Sequence, residues 1–392
     1  MRHLRNLALL GGVATLAACS DAQSPTAAKP AAQTDARLAP VLMAGGAGQG
    51  IEGSYIVVLK DGANPEYEAR THRLSPRFVY GAALKGFAAD LTPAEVEALR
   101  HNPHVAYIEQ DQVVHAAATQ SSATWGIDRI DQRSLPRSGT YTYNTTASNV
   151  RAYIIDTGIA TGHSEFGGRA AVSYDALGGN GQDCNGHGSH VAGTVGGATY
   201  GVAKGVLLRA VRVLNCSGSG TSSQVLAGIN WVAANAVKPA VANMSLGGGY
   251  SSSENSAVNT LASNGIFIAV AAGNESQDAC NVSPASAANS TTVAASTSTD
   301  ARASYSNYGG CVDLYAPGSS ITSVNYTGGS TTMSGTSMAS PHVAGVAALY
   351  KATYGDASYS TIRSWLINNS TTGVITGNPS GTPNRLLYKG TL

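Results

Sequence analysis

Four polar side chains, far apart in the sequence, have the types and local settings needed to make an alcohol react with a carbonyl carbon. Asp156 and Asn274 each follow an apolar run closely, whereas His187 and Ser337 each precede small residues with a helical pattern. A serine hydroxyl is a weak nucleophile unless a base removes its proton, and a histidine with a near-neutral pKa can be that base. A buried carboxylate can orient the histidine ring, and an asparagine amide can stabilise an oxyanion. The set predicts acyl-transfer chemistry if the fold brings it together.

Each of the four also has an ordinary structural interpretation. The aspartate and the asparagine could be turn formers, the histidine a loop residue and the serine a helix N-cap. His190 and His342 could be buried histidines of the core. We prefer the chemical interpretation because all four are expected at one edge of the fold.

That expectation depends on the elements around these residues. Buried apolar runs alternate with helical patterns after Trp125, which predicts a parallel sheet covered by helices on both faces. Ligands in such folds bind beyond the carboxyl ends of the strands. Pro341 should lie in the first turn of the helix at Ser337. The predicted strands are 150–155, 207–214, 240–244, 266–270 and 291–295, and the predicted helices are 188–195, 224–236 (capped by Ser222 or Ser223) and 256–261.

The composition excludes two classes of protein. The 392 residues include 43% hydrophobic and only 12% charged residues, with 46 glycines and a net charge of +1. Such a chain is neither a basic nucleic-acid binder nor an acidic disordered protein. We therefore expect no nucleic-acid partner.

The first residues predict export. Arg2 and Arg5 precede an apolar stretch, 7–18, which is too short for a lasting membrane anchor and ends at Cys19. Residues 1–19 are typical of a bacterial lipoprotein signal, in which Cys19 receives the lipid; an ordinary secretory signal with a chance cysteine is the alternative. We expect the membrane to be contacted only through that lipid, and only before maturation.

The cysteine count agrees with export. With Cys19 lipidated, four of the five cysteines remain and allow three disulfide pairings, among which the sequence does not choose. Zinc is a weaker alternative because the spacings are wide and no C-x-x-C pair occurs. The remaining cysteines are Cys184, Cys216, Cys280 and Cys311.

A small α+β unit precedes the large domain. Residues 20–52 are rich in small and polar residues and predict a flexible linker. The unit that follows has predicted strands at 55–59, 105–109 and 112–114 and a helix at 94–99, started by Thr92 and Pro93. A patternless stretch at 116–122 should be exposed and easily cut.

The motifs together carry a specific resemblance. Asp-Thr-Gly at 156–158, Asn-Gly-His-Gly-Ser-His-Val-Ala-Gly-Thr at 185–194 and Gly-Thr-Ser-Met-Ala-Ser-Pro-His at 335–342 occur in the chain order Asp, His, Ser. From about residue 53 to the end the chain resembles the subtilisin-like serine proteases, and within them the aqualysin-like bacterial members of the proteinase K branch. Ser189 and Ser340 stand where many members have threonine.

The resemblance implies a domain organisation and a mechanism. Residues 53–117 would be a ferredoxin-like inhibitor I9-type propeptide that acts as an intramolecular inhibitor and is removed near Ala118. Residues 118–392 would be the peptidase S8 domain, a three-layer α/β fold. Asp156, His187 and Ser337 fall on the family's triad, and Asn274 with the Ser337 N–H on its oxyanion hole. No catalytic metal or organic cofactor is implied.

Binding residues are implied in the same way. The family's substrate-binding strand would be Ser245, Leu246, Gly247, Gly248 and Gly249. The pocket for the side chain before the cut would be lined by Ala271, Ala272 and Gly273. The small residues indicate a roomy apolar pocket and broad specificity for protein and peptide substrates.

Disulfides and calcium also follow from the resemblance. The family's bridges would be Cys184–Cys216 and Cys280–Cys311. A structural calcium ion would be held by the Asp313 carboxylate and the carbonyls of Ala288 and Ser290, since hard cations prefer oxygen ligands. A second family site, at Asp128, Asp131 and Gln132, is doubtful because Arg137 and Ser138 stand where acidic ligands would be.

Three function classes compete. The first is an exported serine endopeptidase, a monomer, synthesised as a cell-envelope lipoprotein and released to the periplasm or the medium on maturation. The second is an inactive surface lipoprotein that acts as a binding protein. A serine esterase of another fold is disfavoured because no G-x-S-x-G elbow surrounds Ser337.

Overall fold

The computed structural model describes residues 38–44, 50–112 and 118–392. Cys19, the predicted signal and most of the predicted linker lie outside these ranges, as does the segment 113–117 that includes the predicted end of the propeptide. None of the described helices is both long and apolar enough to cross a membrane.

The N-terminal domain is a five-stranded sheet covered by two helices. The strand order is β1-β5-β2-β4-β3, antiparallel except for the pair β1 and β5. From β2 onward the order β-α-β-β-α-β is that of the ferredoxin-like fold, which confirms the predicted class. The elements are β1 (Val41–Leu42), β2 (Gly50–Leu59), α1 (Pro65–Thr71), β3 (Phe78–Tyr80), β4 (Gly86–Asp90), α2 (Pro93–Arg100) and β5 (Val105–Gln112).

Two boundaries of this domain differ from the predictions. The linker was expected to extend to residue 52, but Val41–Leu42 pairs with β5 and Ala39 is buried in the domain core. β5 is one strand that continues to Gln112 rather than two short strands. Thr92 caps α2 as predicted, and Glu95 at the third helical position bonds back to the Thr92 N–H at 2.7 Å, which completes a capping box.

The large domain is built on a nine-stranded sheet with the strand order β19-β20-β16-β15-β13-β11-β8-β10-β9. All neighbours are parallel except β19 and β20. The strands of this domain are β6 (Ala118–Ser121), β7 (Thr140–Tyr143), β8 (Arg151–Asp156), β9 (Ala170–Asp175), β10 (Leu207–Arg212), β11 (Ala240–Met244), β12 (Gly248–Gly249), β13 (Phe267–Ala271), β14 (Val282–Ser283), β15 (Thr291–Ser296), β16 (Leu314–Pro317), β17 (Ile321–Val324), β18 (Ser330–Met333), β19 (Thr371–Thr372) and β20 (Arg385–Leu386).

Helices cover both faces of this sheet, as predicted. The central one, α7, packs against the middle strands and is buried along most of its length, which its alanine, glycine and valine residues permit. Gly345 illustrates the fit, because a side chain there would collide with Val202. The helices are α3 (Trp125–Ile130), α4 (His187–Gly196), α5 (Ser222–Asn235), α6 (Ser252–Ser263), α7 (Thr336–Tyr354) and α8 (Tyr359–Asn369), with short 3-10 turns at Ser164–Phe166 and Ala279–Asn281.

The structure corrects several details of the sequence analysis. Thr221, not Ser222 or Ser223, caps α5. The stretch expected to have no pattern contains β6, which pairs with β7, although most of its residues are exposed. α7 begins at Thr336, so Pro341 lies in its second turn rather than its first. Strands β9 and β16 to β18 and helix α8 were not predicted.

Candidate active site

Asp156 and His187 form a hydrogen-bonded pair at the carboxyl edge of the sheet. Asp156 is the last residue of β8 and is fully buried, whereas His187 is the first residue of α4, with a side chain one quarter exposed. The two meet through His187 Nδ1 and Asp156 Oδ1 at 2.8 Å. Burial by itself would lower the pKa of His187, but the charge of Asp156 and the hydrogen bond to it outweigh that effect, so the pKa is raised.

Asp183, which the sequence analysis missed, fixes the loop that carries the histidine. Its carboxylate is buried and accepts five hydrogen bonds of 2.6 to 2.9 Å. The donors are the Thr157 hydroxyl, the N–H groups of Asn185 and Gly186 before the histidine, and both the N–H and the hydroxyl of Ser189 after it. One carboxylate thus ties the end of β8 to the start of α4.

Ser337 is the second residue of α7. The N-cap is Gly335, without a side-chain cap bond, so Ser337 is not a capping residue. At this position its N–H belongs to the group of amides that have no acceptor within the helix. The Ser337 hydroxyl donates to the Ser245 carbonyl at 3.1 Å and, within the described residues, makes no hydrogen bond to His187.

A buried polar network holds the start of this helix. The Ser245 hydroxyl donates to the Ser337 main-chain carbonyl at 2.8 Å, and the Asn243 side-chain NH₂ donates to the Ser245 hydroxyl at 2.9 Å. The Ser340 hydroxyl donates to Asn243 Oδ1 at 2.7 Å. Pro341 has no N–H to offer the Ser337 carbonyl from within the helix. The network therefore satisfies a carbonyl that the proline leaves free.

Asn274 is an exposed residue that lies beside the start of α7. Its Oδ1 accepts the Thr336 N–H at 2.8 Å and the Thr336 hydroxyl at 3.0 Å, which leaves the amide NH₂ free of partners among the described residues. Buried Asn307 holds the loop around it through the Ala272 carbonyl and the Glu275 carboxylate. Gly273 between them has a φ of +99°, and a side chain there would collide with Asn307.

Two cavities share the segment Leu246 to Gly249 as a common wall. The first, of about 380 Å³, is lined by Ser337, Asn274, Ala271 and Gly273. Ala272, predicted to line it, is fully buried in an apolar cluster instead. Glu275 lines it too, but its carboxylate accepts the Asn274 N–H and the Asn307 amide. The second cavity has a volume of about 530 Å³, and His187 is among the residues that line it.

The shared wall contains an available strand edge. Gly248 and Gly249 form β12, which pairs antiparallel with β14 in a two-stranded sheet. Each strand of a two-stranded sheet has one unpaired edge, and an extended peptide can add there. Both glycines are exposed, so no side chain obstructs such pairing.

The other sequence candidates are structural. The disulfides join Cys184 to Cys216 and Cys280 to Cys311, the pairing implied by the resemblance. His190 and His342 are buried and bonded to main-chain carbonyls, and burial lowers the pKa of each to about 4. Both are core histidines.

The proposed calcium ligands do not fit a metal ion as they are arranged. Asp313 Oδ2 accepts the Thr292 N–H at 2.8 Å, and Oδ1 is paired with the Arg363 guanidinium. The carboxylate thus already faces a positive charge, beside the segment that contains Ala288 and Ser290. Among the described residues, no group of three or more His, Cys, Asp and Glu side chains is arranged to hold a metal.

The doubtful second site is also occupied by internal bonds. Asp128 accepts hydrogen bonds from Ser138 and Gly139, and Asp131 accepts them from Thr142 and pairs with Lys389. These carboxylates are engaged by hydrogen bonds and an ion pair within the protein.

Comparison with known proteins identifies the family. The sequence pattern described as "Subtilase family" matches residues 148–386, and that described as "Peptidase inhibitor I9" matches residues 54–117. The chain belongs to the subtilase family. This subtilase is therefore a serine protease with an I9-type propeptide, and its fold is the subtilisin-like α/β fold expected from the sequence.

Individual relatives agree with this assignment. The chain is 50% identical to the "Extracellular serine proteinase" of Thermus sp. (strain Rt41A), with 97% of this chain and 98% of the relative covered. It is 48% identical to the "Alkaline serine exoprotease A" of Vibrio alginolyticus, over 85% and 67%. Among solved structures, a cold-adapted subtilisin-like serine proteinase matches with a TM-score of 0.68 and 51% identity, covering 69% of this chain and 99% of that one.

Proposed function

We propose that this subtilase is an exported endopeptidase of broad specificity that cleaves peptide bonds through Ser337. The observation that carries the proposal is the 2.8 Å hydrogen bond from His187 to buried Asp156, at the sheet edge where α7 presents Ser337. In this proposal His187 Nε2 takes the proton of the serine hydroxyl as its oxygen attacks the substrate carbonyl. Asp156 holds the ring in the required tautomer and stabilises the imidazolium that forms.

The tetrahedral oxyanion would be stabilised by two donors. These are the free NH₂ of Asn274 and the Ser337 N–H, which is also at the positive end of α7. His187 would then protonate the leaving amine, and water would hydrolyse the acyl-enzyme. Before attack, the Ser337 hydroxyl must turn away from the Ser245 carbonyl and donate to His187 instead.

Substrate would bind as an added strand at the open edge of β12. Its side chain before the cut would enter the cavity lined by Ala271, Gly273 and Val282. The small residues of this wall support a roomy pocket of broad specificity, and the Oε2 atom of Glu275 is already engaged by the Asn274 N–H and the Asn307 amide.

Labelling with a fluorophosphonate probe tests this function. We expect wild-type protein to be labelled and to degrade casein, and Ser337→Ala to do neither. Labelling that does not depend on Ser337 would contradict the role of this residue. Absence of both labelling and cleavage in mature wild-type protein would favour the inactive binding protein.

We further propose that the precursor is exported as a lipoprotein attached at Cys19 and cut near Ala118. The signal-like sequence of residues 1–19 and the similarity to the extracellular serine proteinase of Thermus support export. Intact-mass measurement should give an active species that begins near Ala118, with the lipid left on the propeptide. An active species that still contains Cys19 would overturn the cleavage.

We propose finally that Arg363, rather than calcium, supplies the positive charge beside Asp313. Its guanidinium contacts the carboxylate directly.

A further inference from the structure

Glu254 is a buried carboxylate without an evident structural task. Its residue is only 5% exposed, and its Oε1 has no hydrogen-bond partner among the described residues. Burial raises its pKa, and no cationic neighbour contributes. Leaving a polar group buried and unpaired destabilises a fold, so this position needs an explanation.

Helix capping does not supply that explanation. Glu254 is the third residue of α6, from which a glutamate side chain can bond back to the N–H of the capping residue, here Ser251. Glu95 and Gln224, at the third positions of α2 and α5, make this bond. In α6 the Ser251 N–H instead donates to the Ser283 hydroxyl at 2.9 Å. The Glu254 carboxylate is thereby free to serve another contact.

That carboxylate lies in the wall of the 530 Å³ cavity. Most of its lining is small or polar, Leu214, Val225 and Leu246 supply the apolar part, and Glu254 is the one acidic residue among those that line it. A long aliphatic side chain with a cationic head matches such a site, because its stem packs against apolar walls while its head bonds to the carboxylate.

The position of this cavity along the cleft identifies the substrate residue concerned. Side chains of an extended strand alternate between its two faces, so neighbouring substrate residues enter different cavities. If the first residue before the scissile bond occupies the cavity at Ser337, the second and fourth residues before that bond face the other cavity. Ser245 contacts Ser337, and Gly249 lies four residues further, about 13 Å in an extended chain. Glu254 follows Gly249 in the sequence, at the end of this segment farther from Ser337. This distance along the cleft corresponds to the fourth substrate residue before the scissile bond.

We propose that Glu254 makes this cavity select a lysine or arginine side chain at the fourth substrate residue before the scissile bond. The inference rests on the proposed function, because it assumes cleavage at Ser337 with substrate added to β12. It makes Glu254 a specificity-determining residue rather than a catalytic one.

Tetrapeptide p-nitroanilides provide the test. We would compare acetyl-X-Ala-Ala-Phe substrates in which X is lysine or norleucine, an uncharged residue with the same unbranched stem. For mature wild-type enzyme we expect kcat/KM to be about tenfold or more higher with lysine, as a charge-assisted hydrogen bond allows. A third peptide, with norleucine first and lysine second, should show no such gain.

Two substitutions assign the preference to Glu254. Glu254→Leu should reverse the ratio, and Glu254→Gln should reduce it to about twofold or less, since only a neutral hydrogen bond remains. Glu275→Gln removes a carboxylate from the other cavity and should leave the ratio unchanged, whatever its effect on turnover. Thermal unfolding of each variant checks its folding. The ratio of kcat/KM for the lysine and norleucine peptides in the wild-type enzyme tests the preference even if a variant does not fold.

The possible outcomes distinguish failure of this inference from failure of the proposed endopeptidase function. Equal cleavage of the lysine and norleucine peptides by wild-type enzyme would overturn the inference and leave the proteolytic function intact. A lysine preference that survives in Glu254→Leu would overturn the role of Glu254. Failure to cleave any peptide, together with no Ser337-dependent labelling, would overturn the proposed function and this inference with it.

Discussion

The hydroxyl of Ser245 donates a 2.8 Å hydrogen bond to the main-chain carbonyl of Ser337. That carbonyl would normally accept the N–H of residue 341, four positions later, but a proline stands there. The helix that presents the proposed nucleophile is thus completed by a side chain from the proposed substrate-binding segment. This bond fixes the position of Ser337 relative to the proposed substrate-binding segment.

Removing the bond should destabilise the start of the helix. We expect Ser245→Ala to cost about 1 to 3 kcal/mol, because the Ser337 carbonyl loses its partner in a half-buried position. Thermal unfolding would be measured in the inactive Ser337→Ala protein, so that self-digestion does not interfere. Pro341→Ala restores an N–H, so the cost of Ser245→Ala should be smaller in that background. Equal costs in both backgrounds would refute the compensation.

In the proposed mechanism, the raised pKa of His187 should set the acidic limb of the pH–activity profile. Below this pKa the ring is protonated and cannot accept the serine proton, so kcat/KM should fall about tenfold per pH unit, starting above pH 6.5. The same pairing stabilises the folded protein below the unfolded pKa, and this contribution is lost as pH rises through the raised value.

Asp156→Asn should both slow the reaction and move the limb. We expect kcat/KM to fall about a thousandfold or more, because the ring loses its orienting carboxylate. The limb should shift to lower pH, because the charge that raises the pKa is gone. A pH–rate profile with an unmoved limb would show that another group controls it.

Asp183→Asn tests the carboxylate that ties the histidine loop. Its five donors would face an amide that can accept at only one atom, so we expect a stability loss of about 3 kcal/mol and a lower kcat/KM. Asp175→Asn is the matched control: it also alters a buried carboxylate that accepts two N–H groups, but those of Leu177 and Gly181, which precede Asp183 and the histidine. It should reduce stability while leaving kcat/KM nearly unchanged. The same loss of activity in both variants would contradict a specific role for Asp183.

The sequence was informative where a local pattern determines structure. Buried apolar runs placed β8, β11 and β15 within a residue or two, because a strand covered on both faces must be apolar throughout. The capping box at Thr92 and Glu95 was recognisable for the same reason, since both partners lie within four residues.

The sequence could not give relationships that depend on distant partners. Asp183 and Asn307 carry no local signal of their roles, because the groups they bind are assembled only by the fold. Pro341 was placed a turn too early because Gly335, with no side chain to signal a cap, sets the helix start. Glu254 also has no local signal, because only the packing of α6 places its carboxylate in the cavity wall.

Arg363 provides the clearest case of a distant partner, since it reaches Asp313 across 50 residues of sequence. If its guanidinium replaces a calcium ion, removing it should create a calcium site. We expect millimolar calcium to raise the midpoint of thermal unfolding of Arg363→Ala by about 5 °C more than that of the wild type, as binding to the folded state alone requires. Adding Asp313→Asn to Arg363→Ala should abolish the difference, because the carboxylate is the charged ligand. If calcium raises the unfolding midpoint equally in wild type and Arg363→Ala, the arginine and the metal do not compete for Asp313. The proposal that Arg363 takes the place of calcium would then be rejected.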